Sequence, residues 1–151
     1  MKEIVKNLGE MKIIASDFIS NLKPNKSRAT VIGLYGDLGS GKTTFTQLVA
    51  EAIGISEKVA SPTFVIEKIY ELSNQNFSHL IHIDAYRIEK SEEILKLGWQ
   101  QIVSDPKNLI LIEWPQRISD IMPEHINVNL SHISESDSPA EEAGRQIEIV
   151  I

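Results

Sequence analysis

Residues 36–43 read Gly36-Asp37-Leu38-Gly39-Ser40-Gly41-Lys42-Thr43, which is the G-x-x-x-x-G-K-[ST] spacing of a phosphate-binding loop. The apolar run 30–35 before the loop predicts a strand. The residues from 42 to about 53 predict a helix that Gly54 closes. A strand, a glycine-rich turn and a helix N-terminus form the context that such a loop needs. The sequence therefore predicts a nucleotide-binding α/β fold.

The chemistry of this loop follows from its residue types. Glycines leave room for backbone N–H groups to converge on an anion, and the start of the next helix adds the positive end of its dipole. We predict that Lys42 reaches the β- and γ-phosphates of a nucleotide and that the Thr43 hydroxyl ligates Mg²⁺.

The composition limits the class of protein. The 151 residues predict one domain over 1–151, and the absence of cysteine excludes a disulfide scaffold or a cysteine-based metal site. The first 22 residues mix charged and apolar side chains, unlike a signal peptide or a membrane span, so we expect a soluble cytoplasmic protein. The net charge is −6, whereas direct binding to nucleic acid usually requires a basic surface. Any role on nucleic acid is therefore expected to run through a partner.

The remaining apolar patterns predict alternating helices and strands. Apolar residues from Ile4 to Leu22 recur at three- and four-residue steps and predict one amphipathic helix. A short helix is predicted from Ser91, as its N-cap, to Gly98. The uninterrupted apolar run 109–112 is typical of the buried centre of a parallel sheet. Residues 131–144, rich in Ser, Glu, Asp and Pro, predict a mobile loop. Further strands are predicted at about 64–70, 80–84, 126–130 and 145–150.

Two acidic residues end predicted strands, where open α/β sheets bind ligands. Glu113 follows the run 109–112, and Asp84 follows the run 80–83. One carboxylate would hold Mg²⁺ and the other would orient the attacking water, and the sequence does not assign which does which. His82 is interpreted as a sheet residue without an obvious partner. His79, His125 and His132 are interpreted as surface residues.

Other residues near these motifs admit more than one interpretation each. Ser61 and Thr63 flank a proline near the expected γ-phosphate. Their hydroxyls would bond phosphate or a metal-bound water, or the segment would simply be a proline turn that enters a strand. Arg87 and Arg117 would either neutralise transition-state charge or form surface ion pairs. Trp114 would cover the nucleotide, present an anchor to a partner, or pack in the core, which is the commoner position of a tryptophan.

Four motifs together resemble one family. GDLGSGKTT at 36–44, SPTF at 61–64, HIDAYR at 82–87 and IEWP at 112–115 occur in the order and spacing of the bacterial TsaE family. Leu8-Gly9-Glu10 and Gly144-Arg145 also match in position. The resemblance implies a P-loop NTPase fold, with a mostly parallel central sheet, antiparallel additions and helices on both faces.

The resemblance also implies a cofactor set of ATP and Mg²⁺. Thr43 and Glu113 match the family's metal ligands. Asp84 matches the family's acidic residue implicated in hydrolysis and is a third candidate metal ligand. Trp114 matches a tryptophan beside the site. Lys42, Asp84 and Glu113 are thus the expected catalytic residues. The expected nucleotide contacts are Gly36, Asp37, Leu38, Gly39, Ser40, Gly41, Lys42, Thr43, Thr44, Ser61, Thr63, Trp114 and Arg145.

The family implies a role in forming N6-threonylcarbamoyladenosine in tRNA together with the TsaB and TsaD proteins. TsaD transfers the threonylcarbamoyl group, and TsaE hydrolyses ATP to sustain turnover without itself modifying tRNA. This chain departs from the family at two points. Val5 stands where the family often has a threonine near the base, and the acidic segment 134–142 matches no motif.

Three alternatives remain open. A small-molecule P-loop kinase would need an arginine-bearing lid, and no segment pairs two of the four arginines. A GTPase would need an [NT]-K-x-D motif to read guanine, and the chain has none. A non-hydrolysing nucleotide sensor would bind ATP but would not depend on Glu113 or Asp84.

Overall fold

A computed structural model of the chain describes residues 1–57, 59, 66–133 and 144–151. Within those ranges it contains seven strands, four α-helices and a 3₁₀ turn at Pro115–Ile118. The strands are β1 (Lys2–Val5), β2 (Thr30–Tyr35), β3 (Glu67–Glu71), β4 (His79–Asp84), β5 (Asn108–Glu113), β6 (Ile126–His132) and β7 (Arg145–Val150). The helices are α1 (Leu8–Asn21), α2 (Lys42–Ala52), α3 (Glu92–Leu95) and α4 (Trp99–Ser104).

The strands form one sheet in the order β1-β7-β6-β2-β5-β4-β3. The four central strands, β6, β2, β5 and β4, run parallel to one another. β3, β7 and β1 add antiparallel pairings at the two sides. The predicted fold class, a mostly parallel centre with antiparallel additions, is confirmed.

Side chains of the central strands alternate between two hydrophobic cores, as the two-residue period of a strand requires. On β5, Leu109 and Leu111 pack in the core that α1 and α2 cover. Ile110 and Ile112 pack in the opposite core with Trp99 of α4. Helices therefore cover both faces, as predicted, and a continuous apolar run is explained by burial on both sides. We call these the α1–α2 face and the α3–α4 face.

The sequence predicts one helix for the N-terminal segment, but the structure has a strand followed by a helix. β1 pairs antiparallel with β7, and Val5 is buried there. Asn7 then caps α1 by accepting a hydrogen bond from the Glu10 backbone N–H at 2.9 Å. The apolar spacing of Ile4 and Val5 fits a helix equally well, but pairing with a distant strand decides the outcome.

Ser91 is the N-cap residue of α3, as predicted, but the predicted extent of this helix to Gly98 is wrong. α3 ends at Leu95, and the Ser91 hydroxyl hydrogen-bonds Asp120 instead of capping the helix. Gly98, with φ of +81°, precedes a second helix, α4, that the sequence reading missed.

The predicted strands correspond to β3 to β7. The first residues of the predicted strand 64–70 lie outside the described part of the chain, and β3 begins at Glu67. The predicted loop 131–144 begins too early, because Ser131 and His132 continue β6 and pair with β7. Residues 134–143 lie outside the described ranges. No helix in the part of the chain that the structure describes is both long and apolar enough to traverse a bilayer.

Candidate active site

The glycine-rich loop connects β2 to α2 at the carboxyl ends of the parallel strands, where open α/β sheets bind ligands. Its tight path needs glycine at position 36. A Cβ there would lie 2.4 Å from both the Leu130 carbonyl oxygen and the Ser40 hydroxyl, at a φ of +149°. The loop therefore passes against the backbone of β6 without a side chain between them.

The Lys42 side chain is folded back into the loop. Its ammonium donates hydrogen bonds to the carbonyl oxygens of Gly36 at 2.6 Å and Asp37 at 2.8 Å. Only 6% of the residue is exposed. Burial lowers the pKa of Lys42 from its ordinary 10.5, because desolvation disfavours the charged form. The nearby carboxylates of Glu113, Asp37 and Asp84 oppose this shift in decreasing order.

Thr43 and Glu113 meet where α2 begins and β5 ends. The Thr43 hydroxyl donates a hydrogen bond of 2.7 Å to Oε1 of Glu113. Glu113 is 2% exposed although it carries a carboxylate. Buried carboxylates need hydrogen-bond partners, and Thr43 is one of two that this side chain finds.

His82 is the second partner, and the interpretation of this residue as lacking one was wrong. Its Nε2 lies 2.6 Å from Oε2 of Glu113, and the ring is fully buried. In the parallel β4–β5 pair, His82 is in register with Leu111 and Asp84 with Glu113. His82, Asp84 and Glu113 thus lie on the α1–α2 face. The two-residue spacing of His82 and Asp84 was the only sequence signal for this contact.

Asp84 lies directly across from Glu113 in the register of the two strands. It is half-buried, and it accepts a hydrogen bond of 3.0 Å from the Tyr86 backbone N–H. It also contributes to the electrostatic environment of Lys42. The two predicted acidic residues therefore stand side by side, as their positions at neighbouring strand ends imply.

Trp114 lies at the site and also touches the core. Its indole ring centre is 4.2 Å from the Lys42 ammonium and 5.1 Å from the Tyr86 ring centre. The residue is half-buried and packs against the core of the α3–α4 face. A left-handed backbone, with φ of +60°, turns the chain sharply after Glu113. Packing against the core is thus confirmed in part, and the covering of a nucleotide by Trp114 stays a prediction.

The other residues predicted to contact the nucleotide differ in their exposure and in the elements that carry them. Leu38 is 70% exposed at the tip of the loop, whereas Ser40 is buried within it. Thr44 is half-buried in the first turn of α2. Arg145 begins β7 in register with His132 and with Val5 on its two sides. Ser61 and Thr63 lie outside the described residues, so their predicted roles stay predictions.

The histidines assigned to the surface differ in environment. His132 is exposed, but its Nε2 lies 3.9 Å from the position that a Cβ of Gly39 would take. His125 is half-buried: its Nδ1 lies 2.7 Å from the Pro123 carbonyl oxygen, and its Nε2 lies 2.8 Å from the Tyr35 hydroxyl. An N–H at Nδ1 leaves Nε2 as the acceptor of the Tyr35 hydroxyl. The interpretation of His125 as a surface residue was therefore wrong.

Neither interpretation of the two arginines is decided by their positions. Arg87 and Arg117 are both exposed, Arg87 just after β4 and Arg117 in the 3₁₀ turn after Trp114. Arg87 already interacts within the chain.

The chemistry of this site fits a Mg²⁺-nucleotide. The loop at Gly36 leaves a backbone cradle that a side chain would fill, and Lys42 supplies a cation. Thr43 and Glu113 supply hard oxygen atoms of the kind that Mg²⁺ prefers. Within the described ranges no three His, Asp or Glu side chains converge as a metal cage.

The chain is similar to proteins of one family over most of its length. A family model described as threonylcarbamoyl adenosine biosynthesis protein TsaE matches residues 5–145. A tRNA threonylcarbamoyladenosine biosynthesis protein TsaE from Rickettsia typhi is 41% identical over 123 residues, which are 80% of this chain and 79% of that protein. A protein of the same name from Bacillus subtilis is 39% identical over 118 residues, or 78% and 68% of the two chains.

A solved structure shares the fold. The crystal structure of YdiB from Bacillus subtilis matches with a TM-score of 0.66 and 28% identity, over 97% of this chain and 82% of that chain. The family that the four sequence motifs resemble is confirmed.

Proposed function

This chain belongs to the TsaE family of threonylcarbamoyl adenosine biosynthesis proteins, and from that premise we propose that it is a Mg²⁺-dependent ATPase acting in that pathway. One observation carries the proposal: the phosphate-binding loop, the Thr43 hydroxyl and the Glu113 carboxylate meet at one end of the sheet. In P-loop NTPases this set of groups holds the phosphates and Mg²⁺ of a nucleoside triphosphate.

Lys42 would bind the phosphates. Its ammonium exchanges the carbonyl oxygens of Gly36 and Asp37 for phosphate oxygens, which form stronger, charge-assisted hydrogen bonds. Backbone N–H groups of the loop and of the first turn of α2 would bind the same phosphates. The loop fixes the orientation of the nucleotide.

Thr43 and Glu113 would hold Mg²⁺, which when bound neutralises charge on the β- and γ-phosphates. Asp84, directly across from Glu113, would orient the attacking water and accept its proton. Glu113 is 2% exposed and lies beside the Thr43 hydroxyl, whereas Asp84 is half-buried and therefore partly open to solvent. This difference favours Glu113 as the metal-binding group and Asp84 as the group that faces water.

We propose that this protein acts in the cytoplasm in a complex with TsaB and TsaD. It would contact tRNA only through that complex. Its net charge of −6 supports an indirect relation to tRNA. A P-loop site that lacks a well-placed arginine is slow, and supplying one is worth ~10³–10⁵ in rate. Hydrolysis by the isolated chain should therefore be weak and should rise when the partners bind.

Reconstitution with TsaB, TsaD and tRNA tests the proposal, with modified adenosine and released phosphate as the two readouts. Wild type should support modification and hydrolyse ATP faster with the partners than alone. Glu113→Ala should lose both activities. Glu124→Ala, which removes an exposed glutamate paired with Arg28, is the matched control and should retain them. Equal ATP turnover with and without the partners would contradict the coupling, and phosphorylation of a metabolite would favour the kinase alternative.

A further inference from the structure

His82 makes a contact that the proposed activity does not yet use. Its Nε2 lies 2.6 Å from Oε2 of Glu113, and Oε1 of the same carboxylate accepts the Thr43 hydroxyl. We propose that His82 is a positioning residue: it holds Glu113 so that the carboxylate faces the Mg²⁺ position beside Thr43. This inference rests on the proposed function, because it concerns the same site.

The hydrogen bond assigns the proton of the imidazole ring. His82 Nδ1 is buried and has no hydrogen-bond partner within the described residues. An N–H at Nδ1 would be a buried, unsatisfied donor, whereas a bare ring nitrogen is the less costly form. A proton on Nε2 therefore fits, and that N–H donates a hydrogen bond to Oε2 of Glu113.

The position of His82 excludes direct contact with a nucleotide. The ring is fully buried on the α1–α2 face, and its Nε2 faces the Glu113 oxygen that Thr43 does not bond. Its strand lies between β3 and β5, so backbone pairing holds it on both sides. A side chain locked in this way can orient a neighbour, and sites supported by rigid strands keep their geometry better than sites on loops.

The length of a glutamate explains why a second contact is needed. Glutamate has three side-chain torsions, and its terminal torsion is broad, so one hydrogen bond leaves the carboxylate free to turn. Thr43 fixes one oxygen and His82 fixes the other. Hydrogen bonds that orient metal ligands in this way typically change metal affinity about 10- to 100-fold when they are removed.

Two substitutions that differ by one methylene separate positioning from packing. The amide of Gln reaches the place of the histidine Nε2, whereas the amide of Asn stops about one bond short. Binding of the non-hydrolysable ATP analogue AMP-PNP is measured by calorimetry in EDTA and in Mg²⁺. His82→Asn should bind normally in EDTA but lose about 10- to 100-fold of the affinity gained with Mg²⁺. His82→Gln should keep most of that gain.

Leu80→Val is the control for packing, since Leu80 is buried two residues earlier on the same strand and face. It should lower the melting temperature without changing the gain from Mg²⁺. Equal gains in His82→Asn and His82→Gln would overturn the positioning role. If wild type failed to bind AMP-PNP both in EDTA and in Mg²⁺, the proposed function itself would be overturned. Failure of the positioning role and failure of the proposed function are therefore distinguishable.

The wild-type protein offers a second measurement that does not depend on a variant folding. ¹⁵N NMR of the histidine rings should show His82 protonated at Nε2 and bare at Nδ1, with and without Mg²⁺ and AMP-PNP. A proton at Nδ1 alone would overturn the inference, because Nε2 could not then donate to Glu113.

Discussion

The ammonium of Lys42 lies 4.2 Å from the centre of the Trp114 indole ring. The loop carbonyl oxygens and the ring together replace the water that a buried ammonium loses. The charge is held at a cost, because burial still lowers the pKa of Lys42. The buried ammonium lowers the stability of the folded protein, and the same ammonium would bind the phosphates.

Replacing Lys42 with methionine should change both nucleotide binding and stability. Lys42→Met should abolish nucleotide binding through loss of the charge-assisted phosphate contact. It should also change the pH dependence of stability. The folded wild type releases the Lys42 proton at lower pH than the unfolded chain, so the stability of wild type relative to Lys42→Met should rise as pH approaches 10.5. Urea unfolding at pH 7 to 10 measures this difference, and a difference independent of pH would contradict the assignment.

The Thr43 hydroxyl should matter for the metal more than for the phosphates. Thr43→Val keeps the shape of the side chain but removes the donor to Glu113 Oε1 and the oxygen for Mg²⁺. AMP-PNP affinity in EDTA should therefore stay near that of wild type, while the gain with Mg²⁺ should be lost. Thr43→Ser retains the hydroxyl and serves as the control. Equal losses in EDTA and in Mg²⁺ would argue against a metal-binding role.

Gly36 and Gly39 give a matched pair in the loop. Both have positive φ, +149° at Gly36 and +77° at Gly39, which alanine adopts only with backbone strain. Only at Gly36 does an added Cβ meet other atoms at 2.4 Å, whereas at Gly39 the nearest is at 3.9 Å. Gly36→Ala should therefore lower the free energy of unfolding more than Gly39→Ala and should weaken AMP-PNP binding more. Chemical denaturation and calorimetry measure the two quantities, and equal effects would mean that backbone strain alone governs the loop.

Glu67 should destabilise the protein at neutral pH. Oε1 of this side chain is buried without a hydrogen-bond partner in the described part of the chain, and desolvation raises the pKa of the carboxyl. The folded state thus binds the Glu67 proton more tightly than the unfolded chain, which favours folding below about pH 4.5 and opposes it once the carboxyl ionises. Glu67→Gln should be more stable than wild type at pH 7, with a smaller advantage at low pH. Thermal unfolding checks this, and exposed Glu71 on the same strand should show no such gain as Glu71→Gln.

The sequence predicted those parts of the site that depend on local pattern. Lys42 and Thr43 belong to one short motif, and Glu113 and Asp84 end neighbouring strands, so their convergence follows from the rule that parallel strands end at one edge. The contact of His82 with Glu113 could not be predicted, because it depends on the β4–β5 register, which no local pattern specifies.

The N-terminal error has a similar cause. The pairing of β1 with β7 joins residues 140 or more positions apart, and no local pattern near Val5 indicates it. A local signal for the start of α1 did exist: Asn7 followed three residues later by Glu10 is a capping pattern. That cap would have placed a boundary inside the predicted helix.

The register of β4 against β5 has a consequence for folding. A slip of one residue would turn Asp84 and His82 to the opposite face and bring Ile83 beside Glu113, which would then be a buried carboxylate with one partner fewer. The native register places Asp84 directly beside Glu113 and brings His82 within hydrogen-bond distance of it. A nucleotide that bound only to the correctly paired sheet would add its binding free energy to that alignment and would therefore stabilise it at equilibrium.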